Sequence, residues 1–318
     1  MLSNEIRIIF FCVLIIIHII FIIKGNKKSL KNFENIFDKK IKILEKKIKI
    51  IKNKNSILSY TFAAFFSFLY NIKNESSIYN LLRPKDIIGK KKIRIGKKGD
   101  GGYILLNDFK NIKIAYSIGI YKEISFDKAL ADKDIDVFMY DHTIKKLPFT
   151  LDKFHWYKIG LAEKKGQKDN MKTLNELLIE NGHINEKDMI LKIDIEGGEW
   201  NIFHNLSKDI LIKFKYILVE FHFSRKYASI VLKVLKKLNE THQVFHLHCN
   251  NCCPIINFDG QIICSALEIS YIIKEKNTFI KSSSYYPVKN IDYQNIKNNL
   301  DINDFLNIYQ IDNIFHIK

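Results

Sequence analysis

Asp188-Met-Ile-Leu-Lys-Ile-Asp-Ile-Glu-Gly-Gly198 is the stretch around which the chain is organised. Met189, Ile190, Leu191, Ile193 and Ile195 form a short, nearly continuous apolar run, the pattern of a strand buried on both faces of a parallel sheet. The run passes into Asp194 and Glu196, then a Gly pair, then an amphipathic helix carrying Trp200, Phe203 and Leu206. In open α/β sheets ligands sit outside the carboxyl ends of the strands. Two carboxylates and two glycines at such an end put charge and close backbone approach in one place. A strand–turn–helix corner with solvated acids is the plainer account of the same short motif.

Strands and helices alternate on either side, as in a parallel sheet with crossover helices. Ile93 to Leu106 reads as two short strands around a Gly-rich turn, and Ile112 to Ile118 as a strand. A helix over Ile124 to Ala131 follows, then strands over Ile135 to Tyr140 and Trp156 to Ile159, and a helix over Leu174 to Glu180. Beyond the central stretch, Tyr216 to Phe221 is a strand ending at His222, and Ser224 is placed to cap a helix that buries Tyr227, Ile230, Val231, Val234, Leu235 and Leu238. Val244 to His248 and Leu267 to Ile273 are expected to close the sheet as an antiparallel pair. The chain after Lys274 is Asn-rich and has no assigned role.

Ser117-Ile-Gly119 ends the first strand of the alternating core and Asp141 ends the second. In nucleotide-binding α/β folds an acid at that second position can accept hydrogen bonds from both ribose hydroxyls, while the glycine lets the first turn pass close to the ligand. Gly119 is followed by Ile120 and Tyr121, so the Gly-x-Gly-x-x-Gly cradle for a pyrophosphate is absent. A ligand with a ribose and no phosphates fits better, which points to S-adenosylmethionine rather than NAD.

Tyr116-Ser-Ile-Gly-Ile-Tyr-Lys-Glu-Ile-Ser-Phe-Asp127 and Val137-Phe-Met-Tyr-Asp-His-Thr143 resemble the FkbM-like methyltransferases, the group that includes the methyltransferase-like proteins. So do Asp100-Gly-Gly-Tyr-Ile-Leu105, Met171-Lys-Thr-Leu-Asn-Glu-Leu177, Met189 to Trp200, His246-Leu-His-Cys-Asn-Asn251 and Leu267-Glu-Ile-Ser270. The blocks recur in order over residues 90–275. The resemblance implies a class I, Rossmann-like methyltransferase fold: a doubly wound, mostly parallel sheet with an antiparallel edge, binding S-adenosylmethionine. It implies that Ser117, Gly119, Glu123 and Asp141 line the cofactor, with His142 on the adenosine-side loop where similar sequences often carry Pro. It places Asp194 beside the methyl donor, and hydroxyls, often on sugars, as the acceptors.

Methyl transfer to a hydroxyl needs alignment and removal of a proton. The candidates for that base are Asp194, Glu196, His222 and His248, all expected at strand ends on one edge of the sheet. The histidines have suitable ordinary pKa values, near 6.5, and equally admit a capping or packing role. Asp194 and Glu196 together offer oxygen ligands for Mg²⁺, which would acidify an acceptor hydroxyl; the metal-free reading is preferred. Cys249, Cys252, Cys253 and Cys264 lie near His246 and His248, but the single Cys-x₂-Cys step lacks a matched second pair for zinc. Small buried thiols are the expectation, and five cysteines favour a reducing compartment over a disulfide scaffold.

At 318 residues, 47% hydrophobic and 27% charged, the composition is globular. The net charge is +17, but Lys24 to Lys54 holds twelve lysines against Glu34, Asp38 and Glu45, a net of +9. A local basic arm, rather than a nucleic-acid-binding face, accounts for that distribution. Ile6 to Ile23 is eighteen residues, nearly all Ile, Phe, Leu or Val, long enough to span a bilayer and without a small-residue cleavage site after it. Lys24, Lys27, Lys28 and Lys31 outweigh Arg7, which puts the downstream chain in the cytoplasm. The expected organisation is an anchor over residues 1–24, a basic amphipathic helical region over 25–75, a methyltransferase domain over 76–275 and a C-terminal extension over 276–318. The function expected is O-methylation of a small-molecule, glycan or lipid-linked acceptor at the membrane. The rivals are a silent membrane adaptor with the same fold and a Rossmann-like NAD oxidoreductase.

Overall fold

The structure is a computed structural model that describes residues 77–299, 301–303 and 306. The expected anchor, the basic helix and Cys12 lie outside the described residues. Among the described residues no helix is long and apolar enough to cross a membrane.

Seven strands form the main sheet: β1 (Ile114–Ile118), β2 (Asp136–Tyr140), β3 (Phe154–Tyr157), β4 (Met189–Ile193), β5 (Phe214–His222), β6 (His242–Cys249) and β7 (Ala266–Ile273). Their spatial order is β6-β7-β5-β4-β1-β2-β3. The pairs β1–β2, β2–β3, β1–β4 and β4–β5 are parallel, whereas β7 runs antiparallel to both β5 and β6. A mostly parallel mixed sheet with crossover helices is compatible with the α/β methyltransferase fold. The chain order reverses between β1 and β4, the switch point at which such sheets bind ligands.

Every residue of β4 is buried, as its apolar run requires, and that includes Lys192. The Lys192 ammonium donates to the Gly119 carbonyl and lies 5.5 Å from the centre of the Tyr103 ring, so its charge stays solvated by fixed dipoles. Tyr103 belongs to a hairpin, Lys92–Ile95 with Tyr103–Leu106, laid across the sheet; Ser270 Oγ on β7 donates to its Ile104 carbonyl at 2.8 Å. The Leu174–Glu180 helix begins with a capping box, in which Thr173 and Glu176 satisfy each other's backbone N–H groups. Ser224 caps a 3₁₀ turn, Arg225–Tyr227, and the α-helix proper starts at Ala228 and buries Val231, Val234, Leu235 and Leu238.

Two features of the C-terminal third depart from or add to the sequence reading. Cys249 and Cys264, expected as separate thiols, are joined in a disulfide, with Cα atoms 5.8 Å apart. The hairpin of Ile255–Phe258 and Gln261–Cys264 folds back and delivers Cys264 to the end of β6. The chain after Lys274 also packs on the domain. Phe279–Lys281 pairs with Lys85–Ile87, Asp292 meets buried His246 at 2.8 Å, and Asn295 donates to Glu268 at 2.9 Å.

His242, at the start of β6, is fully buried between the Phe214 carbonyl on Nε2 (2.9 Å) and the Thr241 hydroxyl on Nδ1 (2.8 Å). Burial pushes its pKa down to about 4. Above pH 6.5 the ring is neutral in both folded and unfolded chain; below that the unfolded chain takes a proton that the folded one refuses until about pH 4. Stability therefore falls by about 3 kcal/mol across that window on account of this one ring. His242→Gln keeps a donor for Phe214 and does not titrate. Its urea midpoint should drop less than the parent's between pH 7 and 4.5; an equal drop removes His242 as the cause.

Candidate active site

The site lies where β1, β2, β4 and β5 end. Gly119 follows β1 with φ +75°, and a Cβ there would lie 1.6 Å from the Asp194 carbonyl oxygen. The ends of β1 and β4 are therefore in contact (Asp194 N–H donates to the Ile118 carbonyl at 3.1 Å), and only glycine fits between them. Above them opens a cavity of about 860 Å³, lined among others by Gly119, Tyr121, Asp141, His142, Asp194 and Glu220. That is the size of a small-molecule or cofactor pocket.

At the end of β2, Asp141 is buried and its carboxylate is already engaged. Oδ1 accepts from the Thr143 N–H (2.7 Å) and hydroxyl (2.6 Å), and Oδ2 accepts from the Tyr121 N–H (2.7 Å). Burial raises its pKa, but these hydrogen bonds outweigh it and hold Asp141 below the ordinary range, so it is ionised. A carboxylate oxygen accepts about two bonds, which leaves the open position on Oδ2. Asp141 thus has room for one ribose hydroxyl rather than the two expected. Glu123 also lines the cavity, with its carboxylate held by Lys97 and the Ser125 N–H. His142 is exposed, and its ring covers Gly160, where a Cβ would come within 2.5 Å of Nδ1. Ser117 is not on the wall: it is buried beneath, next to the buried Asp127.

The β4 and β5 ends carry the charge. Asp194 Oδ2 accepts from the Tyr103 hydroxyl at 3.3 Å and lies 3.9 Å from Lys192 Nζ, while Oδ1 is buried without a hydrogen-bond partner among the described residues. Burial raises the Asp194 pKa to about 6; Lys192 opposes the rise and the carboxylates of Glu196 and Glu199 add to it. Glu220, 5% exposed, accepts from Asn250 Nδ2 at 3.0 Å. Burial, then the charges of Asp194 and Glu268, push it well above the carboxylate range. Glu199, at the first turn of the Glu199–Asn205 helix, is fully buried and accepts through Oε1 from the N–H groups of Ile195 (3.0 Å) and Gly197 (3.1 Å). The same oxygen lies 3.2 Å from His222 Nδ1. Burial lowers the His222 pKa, but the hydrogen bond and charge of Glu199 outweigh it and the net shift is upward.

Of the four base candidates, the structure brings Asp194 and His222 together with Glu196 at the rim. Glu196 takes a left-handed φ of +58°, leaves its side chain 87% exposed and lies 3.3 Å from His222 Nε2. His248 is placed elsewhere. It pairs with Glu268 (Nδ1 to Oε2 3.0 Å) across β6 and β7, buried and off the cavity wall. Sequence reasoning passed over Glu199 and Glu220. Each carried a faint signal: an acid directly after the Gly pair, and a lone carboxylate inside an otherwise apolar strand.

Residues 145–246 match the methyltransferase FkbM domain. The matched span takes in the central stretch, the Gly pair and the β5 end, the elements that hold Asp194, Glu199, Glu220 and His222. No curated protein matches the chain. Among solved structures, the chain is similar to a "putative hemolysin" from Lactococcus lactis at 11% identity, covering 50% of this chain and 77% of that one, with a TM-score of 0.29. A second, a "putative hemolysin" from Streptococcus thermophilus, is 14% identical over 68% of this chain and 79% of that one, with a TM-score of 0.28. Likenesses that low carry no argument about fold or activity.

Proposed function

We propose that the domain is an S-adenosylmethionine-dependent methyltransferase acting on a hydroxyl oxygen of a glycan or lipid-linked acceptor. The observation that supports it best is the single cavity joining Asp141 at the β2 end to Asp194 at the β4 end, across the glycine at the switch point. When bound, the cofactor supplies an activated methyl group on sulfur. Asp141 would take a ribose hydroxyl on Oδ2, and Gly119 lets the ligand pass close to the backbone. Asp194 sits at the β4 end of the cavity, beside Gly119, with one carboxylate oxygen unengaged among the described residues, where it can draw the acceptor's hydroxyl proton. Lys192, fixed beneath Asp194, keeps part of that charge compensated before an acceptor arrives.

Titration calorimetry of the full chain with S-adenosylmethionine, S-adenosylhomocysteine and NAD tests the assignment. Binding of the first two and not of NAD is expected. Binding of NAD alone would make the protein an oxidoreductase, and binding of none a silent adaptor. Asp141→Asn removes the charge and should weaken S-adenosylhomocysteine by about 1.5–3 kcal/mol, the worth of a charge-assisted bond. Unchanged affinity in a folded variant takes Asp141 out of the site.

The location we propose is the cytoplasmic membrane face, supported by the apolar run of residues 6–23 and the lysines after it. A reporter fused after Lys318 should resist protease added to intact cells. Cleavage of that reporter would overturn the orientation.

A further inference from the structure

We propose that Asp194, Glu220 and His222 form a binding site for one divalent cation of the Mg²⁺ and Mn²⁺ class, on the wall of the same cavity. One ligand atom from each lies within 4.8 Å of the others. Asp194 follows β4, whose last residue Ile193 pairs with Val219, and Glu220 and His222 close β5, the adjacent parallel strand, so the backbone brings the three donors to the same end of the sheet. Glu196, the second carboxylate expected to share an ion with Asp194, is not one of the three; it is largely exposed at the rim, with Oε2 3.3 Å from His222 Nε2.

Charge balance favours a cation here. Asp194, Glu196, Glu199 and Glu220, four carboxylates, converge on one imidazole, His222, and one lysine, Lys192, which lies 3.9 Å from Asp194 and is turned to the Gly119 carbonyl. Carboxylates taken out of water need a counter-charge or a proton. The donor atoms are also left available. Among the described residues Asp194 Oδ1 is buried without a partner, and buried Glu220 meets Asn250 through Oε1 alone.

Each donor is held by a second partner, the arrangement that orients metal ligands. Glu199 on Nδ1 turns the other nitrogen of His222, Nε2, toward the carboxylates, where it lies 3.3 Å from Glu196 Oε2 and 3.6 Å from Glu220 Oε1. Asn250 anchors Glu220, and the Tyr103 hydroxyl anchors Asp194. Two oxygens and one imidazole leave positions open toward the cavity, as hard six-coordinate cations require. Cys249 and Cys264 are bonded to each other, and the free thiols of Cys252 and Cys253 are not among the three donors. An ion here would bind and orient an acceptor oxygen. The inference itself concerns binding alone and holds with or without methyl transfer.

The test is Mn²⁺ binding to the chelator-stripped full chain, followed by electron paramagnetic resonance without cofactor or acceptor. One Mn²⁺ per chain, displaced by Mg²⁺, is expected. Glu220→Gln and His222→Gln should each weaken it at least 10-fold, and Cys252→Ser should not change it. Because Glu220 is buried and His222 half-buried, spin-echo modulation on the unmodified chain provides an independent reading: it should show one imidazole nitrogen coupled to Mn²⁺. Absence of stoichiometric binding, absence of that coupling, or binding indifferent to Glu220→Gln in a folded variant would overturn the site. Failure of S-adenosylhomocysteine to bind would leave the metal site standing and overturn only the methyltransferase reading.

Discussion

Asp194→Asn should lower methyl transfer by about 10²-fold or more while changing S-adenosylhomocysteine affinity only slightly, the signature of a group that acts on the transition state. Asn has nearly the shape of Asp and keeps an acceptor for the Tyr103 hydroxyl. What it lacks is negative charge, and both proton acceptance and cation ligation at this position require it. The carboxyl lies at the end of the buried central strand with Oδ1 unpartnered among the described residues. Cofactor contacts are expected mainly at Gly119 and Asp141; Gly119 packs on the Asp194 backbone rather than on its carboxylate, and Asn keeps both that backbone and the side chain's shape, which is why affinity is spared. Cys252→Ser and Cys253→Ser, at an exposed and a half-buried thiol, should leave turnover near the parent's. The comparison follows a screen of sugars and lipid-linked glycans for an acceptor. Full activity in Asp194→Asn would remove the β4 carboxylate from the chemistry.

Glu199→Ala should destabilise the domain by about 3–5 kcal/mol, the loss that follows when a buried charge with hydrogen-bonded partners is truncated. Two backbone N–H groups, of Ile195 and Gly197, lose their acceptor inside the fold, and the His222 ring loses the group that orients it. Glu199→Gln separates these roles. Its side-chain carbonyl still accepts from the loop, so most of the stability should return. The charge does not return, so His222, whose pKa Glu199 raises, should titrate lower. Urea unfolding and ring-proton NMR of His222 read the two effects apart. A Glu199→Gln variant in which His222 titrates as in the parent would show that Glu199 serves the loop alone.

Local pattern determined most of the architecture. The unbroken apolar run of Met189 to Ile193 admits a fully buried strand, and the strand is buried throughout. Thr173 and Glu176 mark a helix start because each can satisfy the other's backbone, and the Leu174–Glu180 helix begins there. Asp141 and Gly119 were recognisable because their position at successive strand ends is itself a sequence property.

What the sequence could not decide is which distant residues share a neighbourhood. His222 and His248 look alike in the chain, each closing an apolar strand; pairing across β7 sets His248 beside Glu268, while parallel pairing of β4 with β5 sets His222 beside Asp194. Glu220 reads as one acid in a buried strand until that pairing brings it to Asp194. Cys249 and Cys264 are joined only because a hairpin folds back between them, and Asp292 reaches His246 only because the chain after β7 returns over the domain. Hydrophobic period and capping act over a few residues, and the sequence carries them whole. Charge pairing acts through space, between strands whose order and register are set by the packing of the entire sheet, so the grouping of the acids and histidines into one site was decided by tertiary structure alone.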